Sequence, residues 1–205
     1  MFTRSGPEAA WRLANMTITT EKLPKMATDG QGYAIAVSAD EAPRPLAVAF
    51  GDLAGAHAAY LTNGAARTFA DGPYTSRWRA ERNAWARRAR GGGWLDTVTF
   101  GQTRYAPAAL RTKDGGVIAW YAVSRLESLA AAGRPGQSSR PNPPAPDPGA
   151  VSADIRGYLG KPIGGSRTEV RAAWLLLPLT YVPPRGRPTV LGQTTALTSA
   201  TTIDH

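Results

Sequence analysis

The chain of 205 residues contains no cysteine and only two histidines, His57 and the last residue, His205. The absence of thiols excludes disulfide scaffolds, thiolate nucleophiles and all zinc sites that use cysteine ligands. One internal imidazole and 15 carboxylates remain for acid–base or metal chemistry. The sequence has no HExxH, GxSxG, GxxxxGK or GxGxxG motif and no diagnostic pair of acids. It therefore predicts no metal site, no cofactor and no catalysis.

Long hydrophobic runs are also missing. The most apolar stretch, residues 172–182, is interrupted by Pro178. It has about half of the roughly 20 residues that a membrane helix requires, so it is predicted to be a buried strand. Residues 1–30 contain no apolar run of signal-peptide length.

Lysine is scarce, although the chain is basic. Twenty arginines and four lysines face 15 acids, which gives a formal net charge of +9. This charge favours an anionic partner such as an acidic envelope polymer, a membrane surface or nucleic acid. Alternatively, a GC-rich genome explains the abundance of Arg together with Ala, Gly and Pro. We favour this second interpretation, and we do not expect a nucleic-acid partner.

The first predicted helix follows a capping residue. Asp52 is a suitable N-cap, and Leu53, His57 and Leu61 recur at helical spacing. Asn63 and Gly64 are then expected to end the helix.

A second helix is predicted over residues 77–90, capped by Thr75 or Ser76 and ended by three glycines at 91–93. Trp78 and Trp85 share one face and are predicted to be core residues. The helix also carries Arg77, Arg79, Arg82, Arg87, Arg88 and Arg90. Tryptophans beside arginines could instead contact an anionic surface, but we favour a buried tryptophan face with solvated arginines.

The second half of the chain is predicted to be mainly strands. A hairpin turn at residues 113–116 joins strands at 109–112 and 117–123. Residues 133–149 contain six prolines and are predicted to be an exposed loop inside the domain. Beyond a short helix at 151–160, two long strands are expected at residues 170–181 and 189–203.

The N-terminal part is predicted to be distinct from the rest. Residues 10–20 and 33–37 are strand-like, and residues 42–45 are typical of a linker. Residues 1–45 are therefore expected to be a strand segment and linker, the remnant of an upstream unit.

Five short stretches carry a resemblance to a known fold. They are Gly32, Tyr33 and Ala34 with Val37; Phe69 with residues 72–76; residues 114–116; residues 154–160; and residues 190–192. Together with the order of elements, they make residues 46–205 resemble the cone-shaped α+β fold of the nuclear transport factor 2-like superfamily. More narrowly, the chain resembles the C-terminal part of an uncharacterised family of actinobacterial envelope proteins and lipoproteins with two such domains in tandem. The resemblance implies helices packed on a curved antiparallel sheet.

The resemblance also implies a location and a role. Members usually have a signal or lipidation segment, so the chain is expected in the cell envelope if such a segment precedes it, and in the cytoplasm if Met1 is the true start. The expected function is a non-catalytic binding or interaction module, whose partner is an unknown protein or a small apolar ligand.

The candidate site residues are His57, Tyr60 and Tyr74, which we expect to line the cavity of the cone. Enzymes of the superfamily commonly use a histidine with an aspartate for proton transfer. The alternative function is therefore a small-molecule isomerase or dehydratase with His57 as general base and Asp71 as its partner. Asp52 and Asp96 are the other acids available, and no spacing singles out one of the three.

Overall fold

A computed structural model of the chain describes residues 2–3, 6, 8–10, 12–13, 16–38, 46–64, 68–131, 151–160 and 168–204. Within these residues, three helices accompany a curved antiparallel sheet of seven strands. The predicted α+β class is thus confirmed. The predicted Pro-rich loop at 133–149 and linker at 42–45 lie outside the described residues. No helix in the described part of the chain is long and apolar enough to cross a membrane.

Helix α1 (Leu53–Asn63) forms as predicted. A 3₁₀ turn at Phe50–Asp52 leads into it, and Gly64 ends it with φ of 65°, a left-handed conformation that glycine adopts without strain. Asp52 lies at the N-cap position, but its side chain makes no capping hydrogen bond to a described residue.

Helix α2 (Trp78–Gly91) agrees with the predicted range, but its start differs. A π-helical turn at Pro73–Arg77 precedes it, and the N-cap residue is Arg77. The prediction that Thr75 or Ser76 caps this helix was therefore wrong. The Thr75 hydroxyl instead donates to the Ala70 carbonyl oxygen at 2.8 Å, which stabilises the loop before the turn.

Helix α3 (Ala153–Leu159) lies within the predicted range 151–160 and has a capping residue at each end. The Ser152 hydroxyl accepts a hydrogen bond from the Ile155 N–H at 3.3 Å, and Gly160 ends the helix with φ of 62°.

The sheet is built around one long strand, β8 (Thr168–Val182), as the apolar run predicted. Two strands in succession pair with one side of it, and β9 (Thr189–Asp204) pairs with the other. In chain order the strands are β1 (Phe2–Thr3), β2 (Arg12–Leu13), β3 (Ala36–Val37), β4 (Trp94–Gln102), β5 (Ala108–Arg111), β6 (Val117–Trp120), β7 (Val123–Ala131), β8 and β9. The order across the large sheet is β3-β5-β6-β8-β7-β4, while β1 and β2 form a separate pair.

Residues 16–20 are not part of a strand, in contrast to the predicted strand at 10–20. They lie on the sheet through hydroxyl groups: Thr19 Oγ1 donates to the Leu191 carbonyl, and Thr194 Oγ1 donates to the Met16 carbonyl at 2.9 Å. Gly192 permits this approach, since a Cβ there would lie 2.8 Å from the Ile18 carbonyl oxygen. Side-chain hydrogen bonds thus replace the backbone ladder that the alternation predicted.

Strand β3 extends the same sheet, because it pairs with β5. Residues 36–37 thus form an edge of the sheet that residues 94–204 build. The division of the chain into two parts at residue 45 stays a prediction.

Two of the three apolar clusters formed by the described residues lie on the inner face of the sheet, the face that the helices cover. The first contains Phe50, Leu53, Leu61, Phe69, Val117, Val123 and Leu176; the second contains Trp94, Leu129, Val151, Ile155, Val170 and Trp174. Trp78 packs against the first cluster, with its ring edge-on to Phe100 at 5.2 Å. Both tryptophans are half-buried, but Trp85 packs against neither cluster. The prediction that both are core residues therefore holds for Trp78 and not for Trp85.

Candidate functional site

His57 lies inside the first apolar cluster and is 0% exposed. Its Nδ1 is 3.0 Å from the Tyr121 hydroxyl, which is also 3.0 Å from the Thr180 hydroxyl. The imidazole ring packs 4.8 Å from Phe69, between ring centroids. These buried polar groups connect α1 to the β6–β7 junction and to β8.

Burial decides the protonation of this cluster. It lowers the pKa of His57 from 6.5 to about 4, and an opposing interaction with the Tyr74 main chain is weaker. Burial also raises the pKa of Tyr121. Both groups are therefore neutral at pH 7. The His57 Nε2 has no hydrogen-bond partner of good geometry among the described residues.

The other predicted ligand-binding residues surround the same cluster. Tyr60 is buried edge-on to Phe69 at 5.9 Å, and the Arg79 guanidinium lies 5.5 Å from its ring centroid. Tyr74 is half-buried and packs against the first apolar cluster. The structure thus brings His57, Tyr60 and Tyr74 together, but none of the three lines any of the cavities described below.

The predicted acid partners are elsewhere. Asp52 and Asp71 are exposed, and Asp96 forms an ion pair with Arg82. Among the described residues, no hydrogen bond joins the His57 side chain to any of these three carboxylates.

The inner face contains a cavity of about 270 Å³ between α2, α3 and strands β4, β7 and β8. We call it the inner cavity. Most of the cavity wall is apolar, and charged side chains form the rest of it. It is lined by Arg82, Trp85, Asp96, Glu127, Ser128, Leu129, Val151, Ser152, Ile155, Val170 and Ala172.

Two arginine–carboxylate pairs lie at this cavity. Arg82 and Asp96 form a close pair whose side chains are 15% and 6% exposed. The Arg125 Nε is 3.3 Å from Glu127 Oε1. Glu127 Oε2 accepts a hydrogen bond from Trp174 Nε1 at 2.7 Å, and the Arg125 Cζ lies 4.5 Å from the Trp174 ring centroid. The two positive and two negative formal charges balance. Such pairing is expected, because a charged group that is removed from water without a partner is costly.

The two guanidinium groups are incompletely satisfied. Burial lowers the pKa of Arg125, the charge of Glu127 opposes this shift, and the charge of Arg82 adds to it. The Nε atoms of Arg82 and Arg125 are buried and make no hydrogen bond to a described residue. The cavity thus offers polar recognition beside an apolar wall, the usual composition of a small-molecule site.

Sequence reasoning missed this cluster. On β7, Arg125 and Glu127 share the inner face with Val123 and Leu129, whereas the apolar Leu126 is 57% exposed on the outer face. A charged pair two residues apart was the available signal, since such residues share one face of a strand. Ordinary hydrophobic patterning predicts that these charges face solvent.

Two further cavities lie nearby. A groove of about 310 Å³ on the outer face is lined by residues that include Leu126, Ala173 and Ser199, and a recess of about 140 Å³ lies between α1, α2 and β4. Among the residues that the structure describes, no group of His, Cys, Asp or Glu side chains could hold a metal ion.

A family model described as a domain of unknown function (DUF8094) matches residues 1–202. The chain belongs to this family. An uncharacterised lipoprotein of Streptomyces coelicolor is 38% identical over 137 residues, which cover 64% of this chain and 40% of that protein. Another, from Streptomyces avermitilis, is 33% identical over 133 residues, covering 64% of this chain and 39% of its own length. The predicted relation to uncharacterised actinobacterial lipoproteins is confirmed.

The chain spans about two fifths of these two relatives, which are 40% and 39% covered. No solved structure matches it significantly.

Proposed function

We propose that the chain is a non-catalytic binding module of the bacterial cell envelope and that the inner cavity takes a small, partly apolar ligand. The observation that carries the proposal is the inner cavity itself, where apolar side chains of α3 and β8 face two half-buried arginine–carboxylate pairs. Such a site would bind an apolar body and orient its polar group through hydrogen bonds.

The envelope location is supported by the two Streptomyces relatives, both of which are described as lipoproteins. We also propose that the domain is a nuclear transport factor 2-like cone that occurs in tandem in longer members. Three helices on one face of a curved antiparallel sheet are compatible with such a cone.

The absence of catalysis is inferred from the chemistry at the cavity. A general base must reach its substrate directly or through one water molecule. His57 lines none of the cavities described above. At the inner cavity, the carboxylates of Asp96 and Glu127 are each held in an ion pair with an arginine.

The fluorescent probe anilinonaphthalene sulfonate tests the binding proposal, because it combines an apolar ring system with one charge. The folded protein should bind it, and Ala172→Leu should weaken that binding, because the added methyl groups enter the inner cavity from β8. Leu126→Ser is the matched control, because it changes the outer groove and leaves the inner cavity intact. Both variants are checked by thermal unfolding. Equal binding by wild type and Ala172→Leu, or loss in Leu126→Ser alone, would contradict the proposal.

The alternative function is an isomerase or dehydratase with His57 as base, Asp71 as its partner, and Tyr60 and Tyr74 against the substrate. One observation favours it: the His57 Nε2 is buried without a hydrogen-bond partner of good geometry among the described residues. The test is turnover of small hydrophobic carbonyl compounds by wild type and His57→Gln. Turnover that collapses by roughly 10²-fold or more in a stable variant would establish this alternative.

A further inference from the structure

The outer face of α2 is strongly basic. Arg87, Arg88 and Arg90 are exposed on α2, and the exposed Arg77 immediately precedes its first residue; we call these four the α2 arginine face. The helix has a single acidic residue, Glu81. Three of the four arginines fall within one turn at the end of the helix, where the helix dipole also favours positive charge.

These arginines differ from those on the inner face of the sheet. Arg82 and Arg125 each pair with a carboxylate. Within the described ranges, no carboxylate lies within ion-pairing distance of any member of the α2 arginine face. No acid of the described residues therefore compensates the positive charge of this face, and its exposed arginines can contact an anionic partner.

Trp85 connects the two sides of α2. Its half-buried ring lines the inner cavity, and the Arg88 Cζ lies 5.7 Å from its ring centroid. An arginine held over an aromatic ring keeps its guanidinium group in a defined place at the surface, which is suited to contact with phosphate.

We propose that the α2 arginine face docks the domain on an anionic phospholipid surface. The proposal rests on the envelope location proposed above, since a domain of the envelope stays within reach of a bilayer. Arginines near an anionic membrane each contribute attraction that falls off within a Debye length, so several on one face are needed. The α2 arginine face supplies four, with one acid on the same helix.

Co-sedimentation with vesicles tests the proposal. Wild type should bind vesicles of phosphatidylcholine with about 30% phosphatidylglycerol and should not bind phosphatidylcholine alone. The triple variant Arg87→Gln, Arg88→Gln, Arg90→Gln should bind these vesicles roughly 100-fold more weakly. Each arginine removed should lower the affinity by about tenfold or less. Binding should also disappear at about 0.5 M salt, where charges are screened within a few ångströms.

The matched control is Arg104→Gln, Arg185→Gln, Arg187→Gln, which removes the same charge from exposed positions outside α2. It should retain binding within about threefold, as should a triple Arg→Lys variant at 87, 88 and 90, since lysine keeps the charge. Circular dichroism checks that each variant is folded.

Equal weakening by the two glutamine triples would show attraction by net charge alone and would overturn the proposal. Binding to inorganic polyphosphate without binding to anionic vesicles would overturn it in favour of an anionic polymer. Ala172→Leu should leave vesicle binding unchanged, so failure at the inner cavity and failure at α2 are distinguished.

Discussion

The buried imidazole of His57 should make the stability of the fold depend on pH. Burial lowers its pKa from 6.5 to about 4 in the folded chain, whereas an unfolded chain has the ordinary value. Between these two values the unfolded state binds a proton that the folded state does not. The stability from His57 is therefore complete above pH 6.5 and is lost progressively as the pH falls towards 4.

The magnitude follows from the size of the shift. Each unit of pKa corresponds to about 1.4 kcal/mol, so the whole effect is about 3 kcal/mol. Over the window from pH 7.5 to about 5, in which most carboxylates remain ionised, we expect a loss of about 2 kcal/mol in the free energy of unfolding.

Urea denaturation at a series of pH values measures this loss in wild type and in His57→Gln. The variant starts from a lower stability, because glutamine does not reproduce the ring contact with Phe69, but it should show a flatter profile over the same window. Tyr121→Phe is the control: it removes the hydrogen bond to Nδ1 but keeps the buried imidazole, so the steep profile should remain. Parallel profiles for wild type and His57→Gln would refute the assignment of a buried, neutral histidine.

Two further predictions concern the inner face and the fold. Asp96→Ala should destabilise the protein by about 2–3 kcal/mol in urea denaturation, because it leaves the half-buried Arg82 charge without its partner. Asp71→Ala, at an exposed position, should be nearly neutral, and equal effects of the two substitutions would contradict this role of the pair. Proteolysis within residues 133–149 should leave both fragments associated, since β7 pairs with β8 from Val123 to Leu129; fragments that separate and stay folded would contradict the prediction of one domain over 46–205.

Elements whose signals are local were predictable from the sequence. The hairpin at residues 113–116 forms with Gly115 at φ of 87°, the conformation that the Asp-Gly-Gly run favours. Helix α3 ends where Gly160 stands, and the long strands β8 and β9 match the apolar and Thr-rich runs. In each case the residues that fix the element lie within the element or next to it.

The site was less predictable, because its geometry depends on contacts between residues far apart in the chain. The sequence singles out His57 as the internal imidazole, but it does not show what surrounds that side chain. The Tyr121 hydroxyl that contacts His57 comes from 64 residues further along the chain, and the Thr180 hydroxyl that contacts Tyr121 comes from another 59 residues on. No spacing in the sequence links them. The pair of Arg82 and Asp96 likewise joins α2 to β4, and only the packing of that helix against the strand brings the two together.

The arginine excess illustrates how structure refines an argument from composition. The interpretation by a GC-rich genome accounts for the use of arginine instead of lysine, but it does not account for where the arginines lie. At Arg125 the planar guanidinium lies against the Trp174 ring while it pairs with Glu127, an arrangement that a lysine ammonium group does not reproduce. At Arg87 and Arg90 an exposed lysine would supply the same charge. Arg125→Lys should therefore be costly and Arg87→Lys nearly neutral in urea denaturation. Genome composition is thus a sufficient explanation of the choice of arginine at Arg87 and Arg90, and an insufficient one at Arg125.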